Sequence, residues 1–352
     1  MDDVVAPLAE SIRAAAAARR ALRIRGGGTK DFYGGALRGE ILDMRTYCGI
    51  IDYDPTELVL TARCGTPLSE IESTMRSQGQ MLGFEPPHFG PEATLGGCLA
   101  VGLSGPRRPF AGAARDFVLG VRVLDGRGTD LRFGGRVMKN VAGYDLSRLS
   151  VGALGTLGVL LEASLKALPL PRAEITLRLE MTQAEAIERM NAWAGKPFPI
   201  SATCHIAGQL FVRLSGAPPA IEAARDKLGG EAVADAERFW NRVREHDLDF
   251  FRSAPALWRL SIRPTAPPLD LPGVHAVEWN GALRWVASEV AANTVHDAAS
   301  KAGGHATLFR GDARIGSPFQ PLSPSLHAIH KRLKAVFDPH GILNPERLYP
   351  DL

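Results

Sequence analysis

The sequence predicts an α+β protein in two domains, and three observations carry that reading. First, 352 residues exceed one ordinary core and, at roughly 150 residues per domain, indicate about two. Second, beyond residue 171 the hydrophobic pattern runs strand, helix, strand, strand, helix. That order builds an antiparallel sheet with helices on one face. Third, Pro169-x-Pro171 interrupts the pattern as a linker would. The expected division is residues 1–170 and residues 171–352, with the C-terminal segment returning to the first domain.

The first domain is expected to open with an alanine-rich, basic helix over Pro7–Leu22, with proline near its start. The strand Leu22–Arg25 follows, then Gly26-Gly27-Gly28-Thr29-Lys30. Further strands are predicted at Glu40–Met44, Gly49–Tyr53 and Leu58–Arg63. A helix over Leu68–Ser77 comes next, with Leu68, Ile71 and Met75 on one face. After a glycine-rich stretch from Gly90 to Gly112, Phe117–Leu124 and Thr129–Phe133 read as strands joined by the turn Asp125-Gly126-Arg127-Gly128. Gly152-x-x-Gly155-x-x-Gly158 leads into an apolar strand, Val159–Leu168. In the second domain the expected elements are strand Ala173–Leu179, helix Thr182–Ala194, strands Ser201–Ile206 and Leu210–Leu214, and helix Ala220–Leu228. Glu237–Phe251 reads as one helix, Pro264–Leu271 as loop, and Ser323–Phe337 as the last helix.

Composition narrows the function. Hydrophobic residues at 45% and charged residues at 22% are the balance of a folded soluble protein. The net charge is 41 − 38 = +3 with no basic block, which gives no reason to expect nucleic acid. Cys48, Cys64, Cys98 and Cys204 stand 16, 34 and 106 residues apart. Without a C-x-x-C, neither a zinc ribbon nor an iron–sulfur cluster held by this chain alone is expected, and no metal site is assigned. His327 and His330 share a helix face but read as a solvated face. The start Met1-Asp2-Asp3 lacks the charge of a secretory leader, and no apolar run reaches the roughly 18 residues of a spanning helix. A cytoplasmic protein is expected.

The 37 glycines are informative by position. Gly26 to Lys30 exposes several backbone N–H groups, with a hydroxyl and an ammonium beside them. Such a nest can wrap a phosphate, and read alone it is equally a turn. It is not a Walker A loop, because no Gly-Lys-Ser/Thr occurs. It is not a dinucleotide fingerprint of the G-x-G-x-x-G kind either, because Asp31 takes the third glycine's place. A second cluster, from Thr94-Leu95-Gly96-Gly97 to Gly105, places small residues on a short helix where backbone can lie against a flat or phosphorylated ligand.

In order, Arg25-Gly26-Gly27-Gly28-Thr29, the Gly96-Gly97 to Gly105 loop, Arg115-Asp116-Phe117-Val118-Leu119-Gly120 and Gly152-Ala153-Leu154-Gly155-Thr156-Leu157-Gly158 resemble the FAD-binding domain of the vanillyl-alcohol oxidase/p-cresol methylhydroxylase type. Phe337-Asp338-Pro339-His340-Gly341-Ile342-Leu343-Asn344-Pro345 resembles the closing motif of the FAD-linked 2-hydroxy-acid dehydrogenases. Phe84-Glu85-Pro86-Pro87, Leu257-Trp258-Arg259-Leu260-Ser261 and Gly304-His305-Ala306-Thr307-Leu308-Phe309-Arg310 are similar to the FAD-binding subunits of bacterial glycolate oxidase. The resemblance implies a two-lobed p-cresol methylhydroxylase (PCMH)-type FAD-binding domain followed by a smaller α+β cap domain.

The same resemblance implies non-covalent FAD, since Thr29 stands where covalent relatives often carry histidine. Arg25, Gly26, Gly27, Gly28, Thr29, Lys30, Thr94, Gly96, Gly97 and Ser104 would bind it around the pyrophosphate and ribityl. Arg115, Asp116, Gly155, Thr156, Gly158 and Val159 would serve the remainder or its support. Asp116 reads equally as a surface partner of Arg115, and Cys98 as a small buried filler. Relatives that oxidise D-2-hydroxy acids grip the carboxylate with a basic string. Here that string is Met138-Lys139-Asn140-Val141-Ala142-Gly143-Tyr144, which leaves Lys139 and Tyr144, with His88, as the catalytic candidates. The implied activity is oxidation of glycolate to glyoxylate within a complex. Its other members would be a second, catalytic FAD-containing subunit and an iron–sulfur subunit leading toward quinone, with membrane contact only through the complex. A self-sufficient FAD-dependent D-2-hydroxy-acid dehydrogenase and a non-catalytic assembly subunit with a degenerate flavin cleft are the alternatives.

Overall fold

The computed structural model describes residues 4–135, 145–311 and 318–352. Its contacts gather into two compact units. One comprises Met1–Leu103, Ala113–Pro169 and Pro321–Leu352, the other Ser104–Gly112 and Leu170–Gln320.

The first unit opens with the helix Val5–Ala17, which buries Val5, Leu8, Ala9, Ile12 and Ala15. It stops short of the expected Leu22 because Arg19 turns to a φ of 51° and releases the chain into the strand Leu22–Arg25. That strand pairs in parallel with Glu40–Asp43. A five-stranded antiparallel sheet follows, in the order Ile50–Asp54, Val59–Arg63, Val159–Lys166, Val118–Leu124, Asp130–Gly134. The central strand Val159–Lys166 and its neighbour Val118–Leu124 are apolar through nearly their whole length. They carry Arg122 and Glu162 as a buried ion pair, with the Tyr47 hydroxyl donating to Glu162 at 3.0 Å. A charge on a central strand is tolerable only in such company.

The C-terminal segment is part of this unit. Leu22 N–H donates to Ile342 O at 2.7 Å and Asn344 N–H donates to Leu22 O at 2.9 Å. Ile342 and Leu343 are buried in the same core as Ile12, Leu42 and Val159. The sharp return after the helix Pro324–Phe337 is held by Asp338, whose carboxylate accepts from the N–H groups of Ile342 at 3.2 Å and Leu343 at 2.7 Å.

The second unit is built on an eight-stranded antiparallel sheet among the described residues. Its order is Glu231–Ala232, Ala173–Glu180, Gln209–Gly216, Ile200–Ile206, Val274–Glu278, Leu283–Ala287, Leu257–Ser261, His305–Arg310. Helices Gln183–Ala194 and Pro218–Leu228 cover Leu177, Leu210, Val212 and Leu214. Helices on one face alone were expected, and the structure corrects this. Ala236–Arg244 packs Trp240 and Val243 on Cys204 and Phe211, which alternate with the residues of the first face. Both faces of this sheet are apolar, so both need cover. The single helix expected over Glu237–Phe251 is two, because His246 adopts a φ of 51° between Ala236–Arg244 and Asp249–Arg252. The short segment Ser104–Gly112 joins this unit through Trp279. The indole N–H donates to Gly105 O at 3.0 Å, and the Arg108 guanidinium lies 4.4 Å from the ring centroid.

Candidate functional site

The turn after Leu22–Arg25 carries Gly26, Gly27 and Gly28 against the loop Gly90–Thr94. A Cβ on Gly27 would stand 1.6 Å from the carbonyl oxygen of Glu92, and Gly28 adopts a φ of 74°. Backbone thus meets backbone here, and a side chain at either position is excluded by contact or by conformation. The triplet is therefore a closely packed turn, and both the phosphate-nest reading and the plain-turn reading are compatible with that packing.

The turn walls a hollow lined by Ile24 through Asp31, Thr94, Gly97, Ala100, Val101, Leu154, Asn344 and Arg347. A second hollow shares Ile24, Gly26, Thr94, Gly97, Ala100 and Asn344 with it and continues past Gly96, Gly155 and Gly158 to Cys64. Thr94 caps the helix Leu95–Val101, its hydroxyl accepting from Gly97 N–H at 3.3 Å. Lys30 is buried; its ammonium donates to His88 O at 3.0 Å and lies 3.4 Å from the Thr29 hydroxyl. Arg23 and Arg25 both pair with Asp31, Arg25 Nε at 3.4 Å, so the residue that spoils a dinucleotide fingerprint orients two cations beside the glycines.

The predicted cofactor residues fall into two groups. Arg25, Gly26, Gly27, Gly28, Thr29, Lys30, Thr94, Gly96, Gly97, Gly155 and Gly158 line the two hollows. The others lie elsewhere. Arg115 and Asp116 form a 3-10 turn, where Asp116 accepts from Ala113 N–H at 2.9 Å and meets Arg148 at 3.7 Å rather than Arg115. Thr156 is buried, its hydroxyl donating to Ala153 O at 2.7 Å, and Val159 is in the core. Ser104 belongs to the second unit. His88 lines neither hollow; its Nε2 lies 3.1 Å from a Glu72 carboxylate oxygen. Lys139 and Tyr144 lie outside the described residues. Burial pushes the Cys98 thiol up to about 12, the state of an inert filler rather than a nucleophile.

Asn344 and Arg347 are among the lining residues that were not assigned from sequence. Asn344 Oδ1 accepts from Ile24 N–H at 2.7 Å and its Nδ2 donates to Leu154 O at 2.7 Å, so one side chain ties three segments around the hollow. Arg347 donates to the carbonyls of Tyr33 and Gly35. Asn344 sits in the closing motif that carried part of the resemblance, and that motif was the available signal. Arg347 had none.

A mostly backbone-walled cradle with N–H groups, a hydroxyl and cations at one end, and an apolar continuation at the other, suits an elongated ligand with a phosphate portion. The residues present therefore fit FAD. The segment 5–134 matches the family profile described as FAD binding domain. Over 345 residues the chain is 50% identical to glycolate oxidase subunit GlcE of Escherichia coli (strain K12), covering 98% of this chain and 97% of that one. It is 34% identical over 156 residues to glycolate oxidase subunit GlcD of Bacillus subtilis (strain 168), covering 44% of this chain and 33% of that one. Among solved structures it resembles p-cresol methylhydroxylase with a TM-score of 0.75 at 15% identity, over 99% of this chain and 88% of that one. That likeness speaks for the fold alone. Among the described residues no helix is long and apolar enough to cross a membrane. With GlcE matched across nearly its whole length, the chain belongs to the family of glycolate oxidase subunit GlcE.

Proposed function

We infer that this chain is the FAD-binding subunit of a glycolate oxidase complex that oxidises glycolate to glyoxylate and passes the electrons toward quinone. One observation carries the reading: end-to-end similarity to GlcE coincides with a glycine-walled hollow built from the segments that the sequence marked for FAD. Bound FAD would supply a two-electron acceptor able to release electrons singly.

The chain's own residues prepare the cradle. Gly26 to Gly28 would present N–H groups to the pyrophosphate. Thr29 adds a hydroxyl, and Lys30 and Arg25 bring positive charge to that end. Gly96, Gly97, Gly155 and Gly158 would keep the remaining walls free of side chains. Cys98, buried and protonated, leaves non-covalent binding as the mode that fits. The cysteines support a next electron carrier on a partner, because three of the four are buried and all stand far apart in sequence. The partners proposed are a second FAD-containing subunit with the substrate site and an iron–sulfur subunit, through which the complex would meet the inner face of the membrane.

The test is the visible spectrum of the purified chain. Flavin bands released by acid or heat are expected. A colourless chain that regains none with added FAD would overturn the reading. Glycolate is expected to bleach the flavin in the assembled complex; bleaching of the isolated chain would instead make it a self-sufficient 2-hydroxy-acid dehydrogenase.

A further inference from the structure

The C-terminal helix Pro324–Phe337 has its polarity reversed for a surface helix. Its inward face is polar. Lys334 is buried, and its ammonium donates to the carbonyls of Thr156 at 2.9 Å and Leu343 at 2.7 Å and pairs with Asp338 at 2.8 Å. His327 lies 3.0 Å from Asp351, which Lys331 also meets at 2.7 Å. The ring of His330 faces Tyr349, with centroids 6.2 Å apart.

The apolar residues point outward. Leu326 is 49% exposed, Ile329 42% and Val336 61%, with Leu333 half-buried between them. Their spacings of 3, 4 and 3 place all four on an arc of about 80°. That is the a/d repeat of a helix-to-helix seam. Arg332 is exposed along one flank of the stripe, and among the described residues it makes no ion pair. Ala328 and Ala335 are exposed on the same side, small enough for a neighbouring helix to lie close beside Arg332.

Charge decides what covers this face. No Asp or Glu stands anywhere between Pro324 and Phe337, so a second copy of the helix offers Arg332 no counter-ion. In an antiparallel copy, with the stripe centred near position 331, Arg332 would meet Arg332. A lipid surface is also a poor match, because lipid-facing helices commonly add aromatic residues and several free cations. Here Phe337 packs toward Phe133, with centroids 6.2 Å apart, and Lys331 is already paired.

The apolar stripe and its cationic flank call for a helix with an apolar seam and an acidic edge. We propose that the Leu326–Ile329–Leu333–Val336 stripe docks the chain onto such a helix of another subunit, whose seam carries Asp or Glu facing Arg332. The proposal rests on the subunit reading above.

The experiment produces the full chain together with the second flavin subunit and the iron–sulfur subunit, and measures mass by light scattering and affinity by titration. The double variant Ile329→Glu/Val336→Glu, changed only at exposed positions, is expected to keep its flavin and melting temperature in isolation. Its affinity for the partners should fall by about 30-fold or more, as for a seam residue at the centre of an interface. Arg332→Glu should lose on the order of fivefold, with the loss shrinking as salt rises. If the double Glu variant sheds its flavin, Ile329→Ser/Val336→Ser is scored in its place. Undiminished assembly of the stripe variant overturns the proposal, and an Arg332→Glu variant of unchanged affinity overturns its acidic edge. Unchanged assembly together with stripe-dependent binding of the isolated chain to phosphatidylglycerol–phosphatidylcholine vesicles, or with stripe-dependent self-association, overturns it as well. A wild-type chain that assembles with neither partner removes the subunit reading and the docking face with it.

Discussion

The two units are organised around opposite kinds of centre. In the first, the strand end at Arg25, the loop Gly90–Thr94 and Asn344 approach so closely that backbone forms the walls, and the space between them stays open. In the second, rings fill the space. His246 stacks on Phe251 with centroids 4.4 Å apart and meets Trp285 at 4.6 Å and Phe309 at 4.9 Å, while Trp258 is completely buried against Val286, Val295 and Leu308. One centre leaves open space between backbone walls, where we propose that the ligand lies; the other gives its volume to apolar contact and so acts as a support. Substitutions should therefore fail differently in the two units: binding first in one, stability first in the other.

The largest expected effect is at Gly27. Gly27→Asp puts a Cβ against Glu92 O and a carboxylate at the end proposed for the phosphates, and flavin content should fall below about a tenth of wild type. Absorbance per folded protein measures it, with circular dichroism as the fold control. A variant that keeps its flavin would mean that the cradle is not the phosphate site. Next, Trp258→Ala should cost about 3–5 kcal/mol in urea unfolding, through lost burial and a cavity. Flavin per folded molecule should stay unchanged. If flavin is lost first, the division of labour between the units is wrong.

Asn344→Leu should fall between these extremes, because the side chain serves both framework and hollow. Two backbone groups, Ile24 N–H and Leu154 C=O, lose their partner, at about 1–3 kcal/mol for each buried group left unsatisfied. The FAD dissociation constant should rise together with the loss of stability, and a change in only one of the two would assign Asn344 to one role.

The smallest effect is a pH dependence in the second unit. Burial, and then the positive charges of Arg310 and Arg259, hold the His246 imidazole well below its usual range, so the folded protein keeps it neutral. The unfolded chain takes up a proton near pH 6.5, and stability is lost as the pH falls below that value. Between pH 7.5 and 5.5 this one group contributes a loss of about 1.4 kcal/mol. The difference between wild type and His246→Phe, measured by urea midpoints at both values, isolates it; equal slopes would show that His246 takes up its proton in the fold as readily as in the unfolded chain.

Legibility differed between the units for a related reason. The cradle's glycines announced themselves because an absent Cβ is a local property, and so did the apolar strands Val118–Leu124 and Val159–Lys166. The second unit's strands Val274–Glu278 and Leu283–Ala287 and its helix Ala292–Lys301 were not assigned. Their residues mix apolar and polar types, Glu278 and Arg284 among them, and both residues are buried by partners that the local pattern cannot show. The break at His246 was missed for the same reason, since the ring's destination lies among Trp285 and Phe309.

The sequence by itself determined the fold class and the cofactor that the first domain suits, and it marked the glycine clusters of that domain. The tertiary structure alone decided which of the marked residues gather around one hollow. It brought Asn344 to Ile24 from 320 residues away, turned Asp31 into the partner of two arginines, and left the stripe of the last helix facing outward. A missing side chain declares itself at its own position, whereas the occupant of the space it leaves is chosen by contacts between distant parts of the chain.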